Sequence, residues 1–65
     1  MTRAGEHRPL LYTVEEAAEI LAISRWKVFD LIRVRALRSV KIGGLRRVPR
    51  SAIDEYIARL LTEAT

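Results

Sequence analysis

The run TVEEAAEILAISRWKVFDLI, Thr13–Ile32, decides the fold, because it holds two helical periods with almost no chain between them. Thr13 is followed three residues later by Glu16, the spacing of a capping box, and Val14, Ala17, Ala18 and Leu21 then recur at i, i+3, i+4 and i+7. This pattern predicts a short helix with one apolar face and with Glu15, Glu16 and Glu19 mainly on its other side. Ser24 supplies a second N-cap, with Ile23 and Val28 placed to form a hydrophobic staple. A second helix is predicted from about Arg25 to Arg35. Val28, Leu31 and Ile32 form its apolar stripe, and Trp26, Asp30 and Arg33 lie opposite, flanked by Lys27 and Phe29. Two amphipathic helices so close in sequence must cross steeply, which is the helix-turn-helix arrangement.

Downstream the period changes from helical to alternating. Arg38–Ile42 and Leu45–Val48 are strand-like runs around Gly43-Gly44, a pair suited to the positive φ angles of a tight hairpin. A two-residue loop would place Val40 opposite Arg47, whereas a three-residue loop ending at Leu45 pairs Val40 with Val48 and puts both on a core face; the longer loop is the expectation. Pro49 lacks a ladder donor and should end the strand, after which Ser51 is expected to cap a third helix with Asp54 at N3. The apolar stripe of that helix is Ile53, Tyr56, Ile57, Leu60 and Leu61. The expected fold is mainly α with a small β-hairpin, a winged helix-turn-helix in the order helix, helix, hairpin, helix. It is expected to span residues 11–65, after a flexible N-terminal tail over residues 1–10.

Sixty-five residues make one small domain, with little room for a spacious catalytic pocket, and the chain contains no cysteine to form disulfides or a thiolate zinc site. The sole histidine, His7, sits in the expected tail, so no histidine-based triad or multi-histidine metal site can be assembled. IGGLRR lacks the lysine and serine or threonine of a P-loop. No enzymatic activity, cofactor or small-molecule ligand is expected. There is neither a signal-peptide run nor a stretch of 18 uncharged apolar residues, so no membrane association is expected and the chain reads as soluble and cytoplasmic.

Charge points to the partner. The net charge is +4, yet residues 25–50 hold nine cations and one acid, Asp30, a local net of +8, while both flanks are acidic. A merely soluble surface would intersperse its signs, so a polyanion is expected to dock on the middle segment. An α-helix fits the major groove of double-stranded DNA, which makes Ser24, Arg25, Trp26, Lys27 and Arg33 of the second helix candidate contacts. Arg25 could bond a guanine edge or a phosphate. Arg25 and Lys27 lie in the first turn, where the helix dipole disfavours positive charge, and in sequence no acid other than Asp30 lies nearby to offset them; Asp30 either accepts from cytosine or bridges Lys27 or Arg33 at i±3. Trp26 either contacts DNA or a neighbouring protomer, or folds back over the hairpin. A hairpin after a helix-turn-helix is a wing: Arg46 and Arg47 suit a narrow minor groove, and Lys41 and Arg50 suit phosphates. The alternative is an edge hairpin made soluble by charge.

LYTVEEAAEILAISRWKVFDLI followed by VKIGGLRRVPRSAIDEYI resembles the excisionase family of small winged-helix DNA-binding proteins, relatives of the MerR-like DNA-binding domain, over about residues 10–61. The resemblance implies a recombination directionality factor that binds and bends DNA at the attachment sites of a phage or integrative element, associates side by side with its own copies and steers an integrase, a tyrosine or serine recombinase, toward excision. It implies Ser24, Arg25, Trp26 and Lys27 as second-helix contacts and Arg46 and Arg47 as wing contacts, with Lys41 and Arg50 at commonly basic positions. Arg35 departs from the family pattern, in which a glycine often closes the second helix, as do Trp26, usually small and polar, and Asp30, often basic. The same pattern occurs in small transcription regulators, the alternative function. An interaction module for an acidic protein is a third reading, of another class. The chain stops after the third helix, without a long coiled-coil arm, so no stable free dimer is expected.

Overall fold

Both halves of the opening stretch become helices, and each begins on its expected cap. The structure, a computed structural model, describes residues 9–64; the expected tail lies, up to residue 8 and including His7, outside the described residues. In α1 (Val14–Leu21) the Thr13 hydroxyl accepts from the Glu16 amide at 3.0 Å, while the Glu16 carboxylate accepts from the Thr13 amide at 2.9 Å, closing the capping box. In α2 (Arg25–Arg33) the Ser24 hydroxyl accepts from the Lys27 amide at 3.0 Å.

Three residues join the two helices, and the turn rests on a left-handed alanine. Ala22 has φ 59°, and the Ile23 and Ala22 amides donate back to the Ala18 and Glu19 carbonyls at 3.0 and 3.2 Å. This is a Schellman closure, in which glycine is the unstrained residue because it has no Cβ to meet the following carbonyl. Ala22→Gly is therefore expected to stabilise the domain by about 0.5–1 kcal/mol, visible as a rise of about 3–6 °C in the melting midpoint followed by circular dichroism. An unchanged or lower midpoint would contradict this account of the turn.

The same closure ends α2 two residues before the expected Arg35. Arg35 has φ 64°, its amide donates to Ile32 at 3.1 Å, and the Ala36 amide donates to Leu31 at 2.8 Å. The reversal turns Leu37 inward, where it is 1% exposed. Leu37, Val28 and Val48 are the largest fully buried side chains, joined in the core by Val14, Ala17, Ala18, Leu31, Ala52 and Ile53.

The hairpin is formed by β2 (Val40–Ile42) and β3 (Leu45–Pro49). Its loop has two residues, not the expected three: Gly43 and Gly44 take φ values of 59° and 104°, and the register is Ile42 with Leu45, Lys41 with Arg46 and Val40 with Arg47. Two successive positive-φ residues give a primed turn whose twist matches the strands. The longer loop rests on Val40 as a core residue; in the structure Leu37 is the buried residue of this segment, and Val40 is 41% exposed.

A further strand was absent from the expected order. β1 (Leu11–Tyr12) pairs antiparallel with β3, Leu11 with Pro49 and Tyr12 with Val48, so the sheet order is β1-β3-β2. Two residues are too few for an alternating pattern to register in sequence. This strand also explains the start of α3 (Arg50–Glu63), which begins with Pro49 as its cap rather than the expected Ser51 and shows no side-chain cap bond. The Leu10 carbonyl accepts from the Arg50 amide at 2.8 Å, satisfying a first-turn donor from the backbone.

Only the first turns of α3 pack on the sheet. Ala52 and Ile53 are buried and Tyr56 partly so, whereas Ile57, Leu60 and Leu61 are 36%, 44% and 66% exposed. Fourteen residues span about 21 Å, and the far half of the predicted stripe is left exposed by the described residues.

Candidate nucleic-acid interface

α2 presents its first turn and polar face outward. Trp26 is 71% exposed and does not fold over the hairpin, which removes that one of its two sequence readings. Lys27 and Arg33 are both exposed, and both face Asp30: the Lys27 ammonium lies 4.0 Å from one carboxylate oxygen, and the Arg33 guanidinium donates to the other. Asp30 thus takes the bridging role, which orients its two cations.

Arg25 is held by two groups. Its Nε donates to the Glu15 carboxylate at 2.6 Å, and its guanidinium carbon lies 4.8 Å from the centre of the Phe29 ring. Asp30 is therefore not the acid that offsets Arg25; Glu15 is, ten residues upstream on the neighbouring helix. Periodicity placed Glu15 away from the core, and no local signal marks a contact made by helix crossing. Phe29, four residues after Arg25, was within reach of the i, i+4 rule. The bond from Arg25 lowers the Glu15 carboxyl below its ordinary range, helped by the carboxylate's place near its own helix-terminal amide and then by the charges of Arg25 and Arg47. With Nε engaged, the two terminal nitrogens of Arg25 remain free to donate together.

The wing divides its cations by face. Successive strand residues alternate, so Arg46 shares a face with its cross-strand partner Lys41, while Arg47 shares the other with Val40. Arg46 donates to the Ser39 hydroxyl at 2.8 Å, and Arg47 donates to the Arg46 carbonyl at 2.9 Å while its charge reaches Glu15. The adjacent arginines are thus not one paired tip. Arg47 lies on the Arg25 flank, and Arg46 faces the other end of α2. Arg50 is half-buried at the start of α3.

Carboxylates screen part of the central positive charge. Besides Arg25, Lys27 and Arg33, Arg38 is paired with Glu55 of α3 at 3.0 Å. Among the described residues, Arg35, Lys41, Arg46, Arg47 and Arg50 have no carboxylate within salt-bridge distance. Four of these five belong to the hairpin and its exit, so the unscreened charge is concentrated in the segment that follows α2, divided between the two faces of the wing. No helix among the described residues is long and apolar enough to cross a membrane.

Two capped helices joined by a three-residue turn, the second with an open polar face and followed by a glycine-tipped hairpin, define a winged helix-turn-helix protein. A family model for a helix-turn-helix domain matches residues 11–60. The chain is 50% identical over 54 residues to a probable excisionase of Saccharopolyspora erythraea, a match that covers 83% of this chain and 55% of that protein. It is also 50% identical over 56 residues to an excisionase of Streptomyces ambofaciens, covering 86% and 90% respectively. No solved structure matches it significantly. The chain belongs to the excisionase family of helix-turn-helix proteins.

Proposed function

We propose that this chain is a cytoplasmic, non-enzymatic DNA-binding protein that bends double-stranded DNA at an attachment site and directs a partner integrase toward excision, its copies associating cooperatively along the duplex. The observation that carries this reading is a solvent-facing first turn of α2 in a fold that continues into an unscreened basic hairpin, in a chain half identical to two excisionases. α2 enters the major groove with Ser24 at its mouth. Arg25 donates through its two terminal nitrogens to a guanine edge, held in that pose by Glu15 and Phe29. Trp26 lies against a thymine methyl or sugar, and Lys27 and Arg33 meet the strands on either side. Lys41, Arg46, Arg47 and Arg50 hold the flanking backbone.

Selecting bound sequences from random duplexes tests the assignment. Arg25→Ala is expected to relax preference at one base pair, a loss of about 1–3 kcal/mol of discrimination, whereas Arg46→Ala weakens binding evenly across sequences. If both variants select and bind like the parent, the face assigned to DNA is wrong. Excision is tested by reconstitution: adding the chain to an integrase and the recombined attachment sites is expected to stimulate excision. Binding confined to a promoter, with no effect on recombination, would indicate a transcription regulator instead.

A further inference from the structure

We infer that the cleft between the C-terminal end of α2 and the hairpin is a seat for one backbone phosphate, with Arg35 and Arg46 as its ligands. This rests on the DNA-binding reading above and adds to it a site and a residue, Arg35, outside the recognition helix and the wing. The cleft has a volume of about 410 Å³, and its wall carries Arg33, Arg35, Arg38 and Arg46 over apolar side chains that include Ile32 and Leu37. Two of the four guanidiniums are already neutralised, Arg33 by Asp30 and Arg38 by Glu55. Arg35 and Arg46 are not, so the cleft keeps two positive charges with no carboxylate among the described residues to answer them.

Those two arginines differ in a way that suits a shared anion. Arg46 is half-buried and anchored by its bond to Ser39 at 2.8 Å, which fixes one nitrogen and leaves the rest of its fork to donate. Arg35 is exposed and makes no side-chain bond to the described residues, free to close over a ligand. Guanidinium forks match phosphate oxygens, and an apolar floor lowers the local dielectric and strengthens that attraction. The backbone adds an independent observation. Arg35 occupies the left-handed position of a Schellman closure at φ 64°, where glycine would be unstrained. Strain alone is no argument, since Ala22 carries it too; what distinguishes Arg35 is that its strained backbone delivers a free cation to the rim of a positively charged cleft.

The test is Arg35→Gly, which removes the cation and relieves the backbone together. The variant is expected to melt at the same temperature or a few degrees higher. It should bind both selected and random duplexes about five- to tenfold more weakly at ~0.1 M salt, with the slope of log K against log salt shallower by about one and the base preference unchanged. Arg35→Asn, which tolerates the left-handed backbone but carries no charge, should show the same loss. An unchanged slope in both variants, with the parent still binding DNA, overturns the phosphate seat and leaves the DNA reading standing; a parent that binds no duplex fails the broader reading instead. Titrating inorganic phosphate while following the Arg35 and Arg46 side chains by NMR separates the sources. Millimolar saturation that does not compete with DNA would identify a free-anion site and also overturn the proposal.

Discussion

Leu37→Ala is expected to lower the melting midpoint by about 15–20 °C. Leu37 is 1% exposed and lies in the segment between α2 and β2, where its amide donates to the Leu31 carbonyl at 3.1 Å. Truncating a buried leucine costs about 2–5 kcal/mol through lost transfer free energy and the cavity left behind. A 65-residue domain is expected to have only about 3–10 kcal/mol of stability in total. At about 4–8 °C per kcal/mol for a domain of this size, a loss near 3 kcal/mol is a large fraction of the whole. Leu60→Ala is the control: Leu60 belongs to the sequence-read stripe of α3 but is 44% exposed, and its loss should stay within about 0.5 kcal/mol. Equal losses for the two variants, measured by thermal or urea unfolding, would mean that the far half of α3 is core and the packing described above is wrong.

The second large effect is on binding. About four to six phosphate contacts give a slope of roughly −4 to −5 in log K against log salt. Affinity should therefore fall about 250- to 1,000-fold between 50 and 200 mM monovalent salt. The cations expected to contribute most are those without a carboxylate among the described residues: Arg35, Lys41, Arg46, Arg47 and Arg50. Lys27, Arg33 and Arg38 must exchange a protein carboxylate for a phosphate, which reduces their net gain, since an exposed ion pair and its replacement are similar in worth. Fluorescence anisotropy on a labelled duplex across a salt series measures the slope. A value near zero would end the polyanion reading and favour a neutral or protein partner.

Much of this molecule is legible in its sequence. Thr13 with Glu16 and Ser24 with Lys27 started both helices where expected, because a cap is a bond between residues three apart and needs no tertiary context. Gly43-Gly44 announced the hairpin for the same reason. The loop length was misread because the choice turned on which side chain would be core, and a strand's period of two turns a one-residue error into the opposite face. Glu15 as the partner of Arg25, and Arg35 as part of the cleft, were not legible. Neither contact has a local spacing; each exists only because two elements cross at a particular place.

The chain alone thus determined where α1 and α2 begin, the helix, helix, hairpin, helix order and the sign of the central segment, since caps, turn angles and charge are properties of neighbouring residues. Tertiary packing decided which apolar side chains are covered, which face each wing arginine takes and which cations are left without a counter-charge. Those outcomes depend on separations between residues far apart in sequence, set when Leu37, Val28 and Val48 close the core.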